Sequence, residues 1–279
     1  MEVIELQRRL KAAAGTKECP EDFDDWFFQF LAMLSSGRIR AAEPAPGGDW
    51  QVNRWVKQGI LLGFRFGRLT DYSINDSFRY FDKHTFPLRP FRLDEGVRLV
   101  PGGTSVRSGA YLAPGVVVMP PSYVNVGAWV GQRTMIDSHV IVGSCAQVGA
   151  RVHVSANAQI GGVLEPVGAR PVIIEDDVLV GGAAGVYEGT LVRRRAVLGA
   201  GTILTASIPV YDLVKDTVLR ATAEHPLEIP EGAVVVPGSR PAGRSEFAQR
   251  EGIHLQCAVI VKYRDASTDA AAALEEALR

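Results

Sequence analysis

Aliphatic side chains recur every six residues through the middle of the chain: Val106, Leu112, Val118, Val124, Val130, Ile136, Val142, Val148, Val154 and Ile160. After a break the beat resumes two residues out of phase at Ile174, Val180, Val186, Val192, Leu198 and Leu204. Four residues after nearly every member stands a small or β-branched residue, from Ala110 and Val116 to Ala196 and Thr202. A fixed short period marks a stacked solenoid. A period of six predicts a parallel β-helix with three short strands per coil and an inward aliphatic at each corner. The small partner residue suits a narrow triangular interior. At about 18 residues per coil, residues 97–208 make roughly six coils.

The beat is broken at residues 161–171, where Gly161-Gly162-Val163-Leu164-Glu165-Pro166 and Gly168-Ala169-Arg170-Pro171 have loop chemistry. A loop expelled from a regular scaffold is either a neutral insertion or a carrier of function. Residues 1–96 are expected to form a mostly helical domain. Phe23, Trp26, Phe27, Phe30, Leu31 and Leu34 fall at helical spacing behind an acidic first turn, and Ser35-Ser36-Gly37 ends that helix. Asp49 to Arg65 predicts a second helix. The aromatics of both belong to a buried face rather than to a ligand platform. Residues 209–279 drop the beat and predict a small C-terminal β cap. Ala233–Gly238 and Cys257–Lys262 form its two strands, and Ala270–Leu274 opens a terminal helix. A cover is expected because an open coil end exposes unpaired backbone.

Composition narrows the function. The chain has 279 residues, 47% of them apolar, and a formal charge of −1, which excludes a broad nucleic-acid-binding face. Cys19, Cys145 and Cys257 are odd in number and widely spaced, so no disulfide framework or zinc site is expected and a reducing cytoplasm fits. Met1–Glu5 is acidic before Arg8-Arg9, unlike a secretory signal, and no apolar run approaches the roughly 20 residues of a membrane span.

A β-helix has flat walls, so its sites usually lie between solenoids of a closed assembly, with three copies expected. Asp137 directly follows the inward Ile136, where neighbouring hexads carry Gly131, Gly143 and Gly149. A carboxylate there either deprotonates an amine or caps the amides of the turn. Arg98, just before the first clear hexad, either pairs with a substrate carboxylate or is a solvated surface arginine. Lys262, Arg264 and Arg193-Arg194-Arg195 either meet phosphates or form a solvated face. His139 and His153 lie 14 residues apart, off the six-residue register, so a histidine-zinc site is disfavoured.

Several runs resemble a known family. Met135-Ile136-Asp137, Val142-Gly143-Ser144-Cys145-Ala146-Gln147, Gly161–Pro166 and Ile173–Asp176 are similar to the tetrahydrodipicolinate N-succinyltransferases of lysine and diaminopimelate biosynthesis. Ser36–Arg40, Trp55–Arg65, Tyr80–Lys83 and Cys257–Lys262 extend the likeness over most of the chain. The resemblance implies left-handed coils in a homotrimer and acyl-CoA as co-substrate in the groove between solenoids. It implies no permanently bound cofactor and no metal. Asp137 would hold and deprotonate the acceptor amine, Arg98 would contact its carboxylate, and Cys145 would pack beneath the site. Gly161, Gly162, Gly182 and Lys262 would contact the coenzyme.

One run departs from the family. Where the family usually carries Ser-Glu-Val-Val-Glu-Gly, this chain has Ala184-Gly185-Val186-Tyr187-Glu188-Gly189. Gly185 replaces a glutamate that works beside the aspartate, and Glu188 aligns with the second glutamate. Three readings stay open: a succinyltransferase relying on Asp137; an acetyl-CoA-using paralogue of the kind that resembles the tabtoxin-biosynthesis acyltransferases; and a non-catalytic coenzyme-binding or structural solenoid.

Overall fold

The computed structural model describes residues 1–222, 224–243 and 245–265. The helix expected at Ala270–Leu274 lies outside the described residues. Short strands wind into a parallel β-helix with three walls. The first wall runs from Arg98–Leu99 through Val117–Val118, Met135–Ile136, His153–Val154, Leu179–Val180 and Val197–Leu198. The second carries Ser105–Val106, Tyr123–Val124, Ile141–Val142, Gln159–Ile160, Gly185–Val186 and Ile203–Leu204. The third carries Tyr111–Leu112, Trp129–Val130, Gln147–Val148, Ile173–Ile174 and Leu191–Val192. The parallel pairing puts residues 18 apart in register, and 26 apart where the loop intervenes, as in Gln159 opposite Gly185.

The hexad aliphatics form the buried interior. They occupy the second residue of each two-residue strand rather than the corners. The corners are made by residues in the left-handed backbone region, at Arg133, His139, Cys145, Arg151 and Asn157, then Asp177, Ala183 and Arg195. Such a conformation costs a non-glycine residue roughly 1–2 kcal/mol. Each corner offsets the cost by donating its amide to the neighbouring coil, as in Cys145 N to Val126 O at 3.1 Å and Asn157 N to Ser138 O at 3.0 Å.

Two features extend past the expected pattern. Glu228–Ile229 pairs parallel with Leu191–Val192, and Val234–Val235 with Val197–Leu198, so the coil continues after an excursion between Leu204 and Glu228. Ile229 and Val235 are fully buried in the same core. The long strands Ala233–Pro241 and His254–Tyr263 then form an antiparallel pair, joined through a short helix at Glu246–Arg250.

The amino-terminal segment has helices α1 (Val3–Ala14), α2 (Phe23–Ser35) and α3 (Arg54–Phe66). The second predicted helix therefore begins later than expected. Trp50–Val52 is instead a strand paired with Ala42–Pro44, and Trp50 Nε1 donates to Glu175 Oε1 at 3.0 Å across to the third wall. A separate aromatic core (Phe23, Trp26, Phe27, Phe30) includes Val126 and Cys145 of the solenoid. The contact is close: a Cβ added at Gly127 would meet Ile60 Cδ1 at 2.8 Å, and one at Gly109 would meet Leu31 Cδ2 at 2.9 Å. Arg40 reaches the third wall, its guanidinium 3.6 Å from the Trp129 ring centre and its Nε donating to Gln147 Oε1 at 3.0 Å. Burial pulls this guanidinium down to about 10. The helical segment thus covers the third wall, where Gln147, Ile173 and Leu191 point outward yet are fully buried.

Candidate functional site

Asp137 ends a first-wall strand and starts the corner leading to the second wall. Its backbone is fixed: the amide donates to Val154 O at 2.9 Å, and the carbonyl accepts from Ser122 Oγ at 2.8 Å. Its side chain meets the capping expectation and leaves the other role open. Oδ1 accepts from Ser138 N at 2.7 Å, capping the turn, while Oδ2 accepts no hydrogen bond among the described residues. A half-exposed carboxylate held in this way has one oxygen available to a donor outside the chain.

Arg98 stands on the same wall. Its strand pairs with Val117–Val118, which pairs with Met135–Ile136, so it lies two strand spacings, about 10 Å, from the start of the Asp137 corner. Its side chain is exposed and makes no ion pair among the described residues. Gly182 lies on the Asp137 corner edge, two coils further on: Ala183 N bonds Ala156 O, and Asn157 N bonds Ser138 O. Corner amides on this solenoid are often capped by a side-chain oxygen, as at Ser138, Ala150, Arg194 and Ala206. The amides of Ala156, Gly162 and Gly182 have no hydrogen-bond acceptor among the described residues.

Gly161, Gly162, Gly185 and Glu188 are elsewhere. They lie on the second wall and the corner after it, where the loop leaves the coil. Here is a cavity of about 1200 Å³, lined by Gly161, Gly162, the loop residues Glu165 and Arg170, Tyr187 and Glu188. Neither Arg98 nor Asp137 lines it. One chain therefore does not bring the two groups of expected site residues together. The loop itself is well anchored. Lys57 of α3, fully buried, donates from Nζ to Pro166 O at 3.1 Å and Ala169 O at 2.8 Å. Arg170 Nε donates to Gly189 O at 3.0 Å. Burial lowers the pKa of both side chains.

Glu188 does not fill the place of the missing glutamate. Its Oε2 accepts from Ala206 N at 2.6 Å and so caps the next corner. Tyr187 does what sequence reasoning missed: its ring lies across Gly185 and its hydroxyl donates to Gln159 Oε1 at 2.7 Å. The available signal was a glycine at an outward strand position, two residues before an aromatic. Cys145 is buried, its thiol pushed up to about 12 by desolvation, which fits a packed residue and not a nucleophile. Lys262 pairs with Asp265 at 3.2 Å, at the far end of the first-wall sheet from Arg98. Among the described residues, no three His, Cys, Asp or Glu side chains converge on a possible metal position. No helix among them is long and apolar enough to cross a membrane.

Comparison with known proteins supplies the family. Residues 4–66 match the sequence profile of the tetrahydrodipicolinate N-succinyltransferase N-terminal region, and residues 171–206 match that of the hexapeptide repeat of succinyl-transferase. The 2,3,4,5-tetrahydropyridine-2,6-dicarboxylate N-succinyltransferase of Nitrobacter winogradskyi is 42% identical, over 90% of this chain and 88% of its own. The enzyme of the same name from Polynucleobacter asymbioticus is 38% identical, over 99% of this chain and 97% of its own. That from Methylobacterium sp. is 44% identical, over 89% and 87%. Identity of this order along nearly the whole length of these relatives leaves one conclusion: the chain belongs to the tetrahydropyridine-2,6-dicarboxylate N-succinyltransferase family.

Proposed function

We propose that this chain is an acyl-CoA-dependent N-acyltransferase that moves the succinyl group of succinyl-CoA onto the amine of ring-opened tetrahydrodipicolinate, on the route to diaminopimelate and lysine. The observation that carries the reading is the Asp137 carboxylate on one wall with Arg98, its Oδ2 and that guanidinium both without a partner among the described residues, in a chain of this family. Arg98 binds a carboxylate of the acceptor. Asp137 takes a proton from the amine. The amine attacks the thioester carbonyl, the tetrahedral intermediate collapses, and the coenzyme leaves as a thiol after taking up the proton. The uncapped amides of Ala156 and Gly182, on the Asp137 edge, stabilise the oxyanion, each contributing roughly 3 kcal/mol as in other acyl-transfer sites. Gly162, whose amide has no acceptor among the described residues, presents backbone to the pantetheine arm beside Gly161, and Lys262 meets the coenzyme's phosphates. Holding two substrates together supplies most of the remaining rate.

The same reading makes the coils left-handed, divides the helical segment from the solenoid at residue 96, places the protein in the cytoplasm, and assembles three copies into a ring; the expected boundary at 208 gives way to coils that run on to Val235. Two observations support the assembly. Val117, Met135, Leu179, Val197 and Val234, interrupted by His153, line the outward face of the first wall and are half-exposed in the single chain. The Asp137 edge and the loop cavity also lie on different corners, so copies packed side by side would join them.

Acetyl transfer and a non-catalytic solenoid are less well supported, because the relatives carry the succinyltransferase name over nearly their full length. Thiol release by the purified protein with tetrahydrodipicolinate tests the reading. Turnover with succinyl-CoA well above that with acetyl-CoA is expected. Acetyl preference overturns the donor assignment, and no release with either overturns the activity.

A further inference from the structure

Gly185 is an outward residue on an exposed wall, yet it is buried. The ring of Tyr187 is the cause. A Cβ added at Gly185 would stand 2.5 Å from Tyr187 Cε2 and 2.8 Å from its hydroxyl oxygen. One coil earlier, a Cβ added at Gly161 would stand 2.8 Å from Tyr187 Cδ1. Two glycines thus form a bed in which the ring lies flat against the backbone. The hydroxyl is tethered to Gln159 at 2.7 Å. Tyr187, Gly161 and Gly162 all line the large cavity. Burial raises the phenol above its ordinary value, so it stays protonated at neutral pH.

The chemistry of the tether defines what the phenol offers. Its one proton goes to Gln159 Oε1, so the oxygen can only accept from a further partner. An attacking primary amine has two N–H bonds and one lone pair. With one N–H on Asp137 Oδ2, a neutral acceptor for the second aims the lone pair at the thioester. Glu188 is directed away from Gly185, toward the Ala206 corner of the next coil, where one of its carboxylate oxygens is held.

We propose that Tyr187 is a substrate-positioning residue: from a neighbouring copy, its phenolic oxygen accepts the second N–H of the acceptor amine that Asp137 holds. Gly185 and Tyr187 then form one exchange unit, in which a side chain at 185 requires removal of the ring at 187. This inference rests on the N-acyltransferase reading above.

The test uses Tyr187→Phe, Gly185→Glu and the double variant Gly185→Glu/Tyr187→Val, each assayed for thiol release and melting temperature. Tyr187→Phe should raise the acceptor KM about tenfold, the worth of one hydrogen bond of ordinary net strength, with the succinyl-CoA KM unchanged. Gly185→Glu alone should lower both melting temperature and activity, and the double variant should recover both. An unchanged acceptor KM in Tyr187→Phe overturns the positioning role. A double variant no better than Gly185→Glu overturns the exchange unit. The unmodified chain separates this failure from the broader one: if it releases no thiol, the acyltransferase reading falls too, whereas normal release with an unchanged Tyr187→Phe KM sinks this inference alone.

Discussion

Lys57 Nζ donates to the carbonyl oxygen of Ala169 at 2.8 Å, from a helix that lies under the loop rather than within the solenoid. The helical segment is therefore part of the loop's scaffold. Removing Lys57 leaves the Pro166 and Ala169 carbonyls without this donor. We expect Lys57→Met to cost roughly 1.5–3 kcal/mol, the scale of charged hydrogen bonds. Its signature is a lowered melting temperature together with a raised succinyl-CoA KM. An unchanged KM would show that the loop does not position the donor.

Gly143 meets the start of the same loop from the coil below. A Cβ there would stand 2.1 Å from Gly162 N, backbone that no rotamer change can move aside. Gly143→Ala should destabilise by about 1–3 kcal/mol or more, the range of overpacked sites. Thermal unfolding checks it, with Gly201→Ala as a contrast, since a Cβ at Gly201 meets nothing within 4 Å, although its positive φ of 73° still strains an alanine. Equal losses in the two variants would contradict the clash.

Thiol reactivity reports on the packing between helices and solenoid. Cys19 is exposed, while Cys145 and Cys257 are buried. Iodoacetamide at pH 8 should modify Cys19 alone in the folded protein, as counted by mass spectrometry. Rapid modification of Cys145 would contradict its place in the core.

The same thiol sets a pH dependence. A free cysteine titrates near 8.5, whereas Cys145 in the fold titrates at about 12. Because the folded value is the higher, the associated stability is complete below the unfolded pKa and is lost as pH rises from there toward the folded one. Cys145→Ala should flatten the alkaline fall of the melting temperature. An identical alkaline slope in both proteins would exclude this contribution.

The solenoid was legible because a six-residue aliphatic beat has no competing explanation, and each member from Val106 to Leu204 is inside. The corners were less legible. Arg133, His139 and Cys145 adopt a glycine-like conformation that nothing in their chemistry announces; amide bonds to the next coil, which are tertiary, select it. The continuation at Ile229 and Val235 keeps the beat, but only two members follow a long excursion. The start of α3 was misplaced because Trp50 is recruited by Glu175 on a distant coil. For the proposed site, Asp137 and Arg98 stand out in the sequence as residue types at special positions. Tyr187 does not, because its role depends on the space left by Gly161 and Gly185, which only the stacking of coils creates.

In the proposed function, Asp137 on one edge works with the loop cavity on another through neighbouring copies. Complementation between two inactive variants tests it most directly. Asp137→Asn removes the proton acceptor, and Gly161→Val displaces the Tyr187 ring from the cavity. The two variants are co-expressed with different tags, hetero-oligomers carrying both tags are isolated, and thiol release is measured. In a cyclic trimer with sites between copies, every oligomer that contains both variants has one of its three sites with both halves intact, so about a third of the unmodified activity should return. Recovery to that level is the predicted result. Activity no higher than that of either variant alone, in oligomers shown to contain both, would place each site within a single chain and contradict the account.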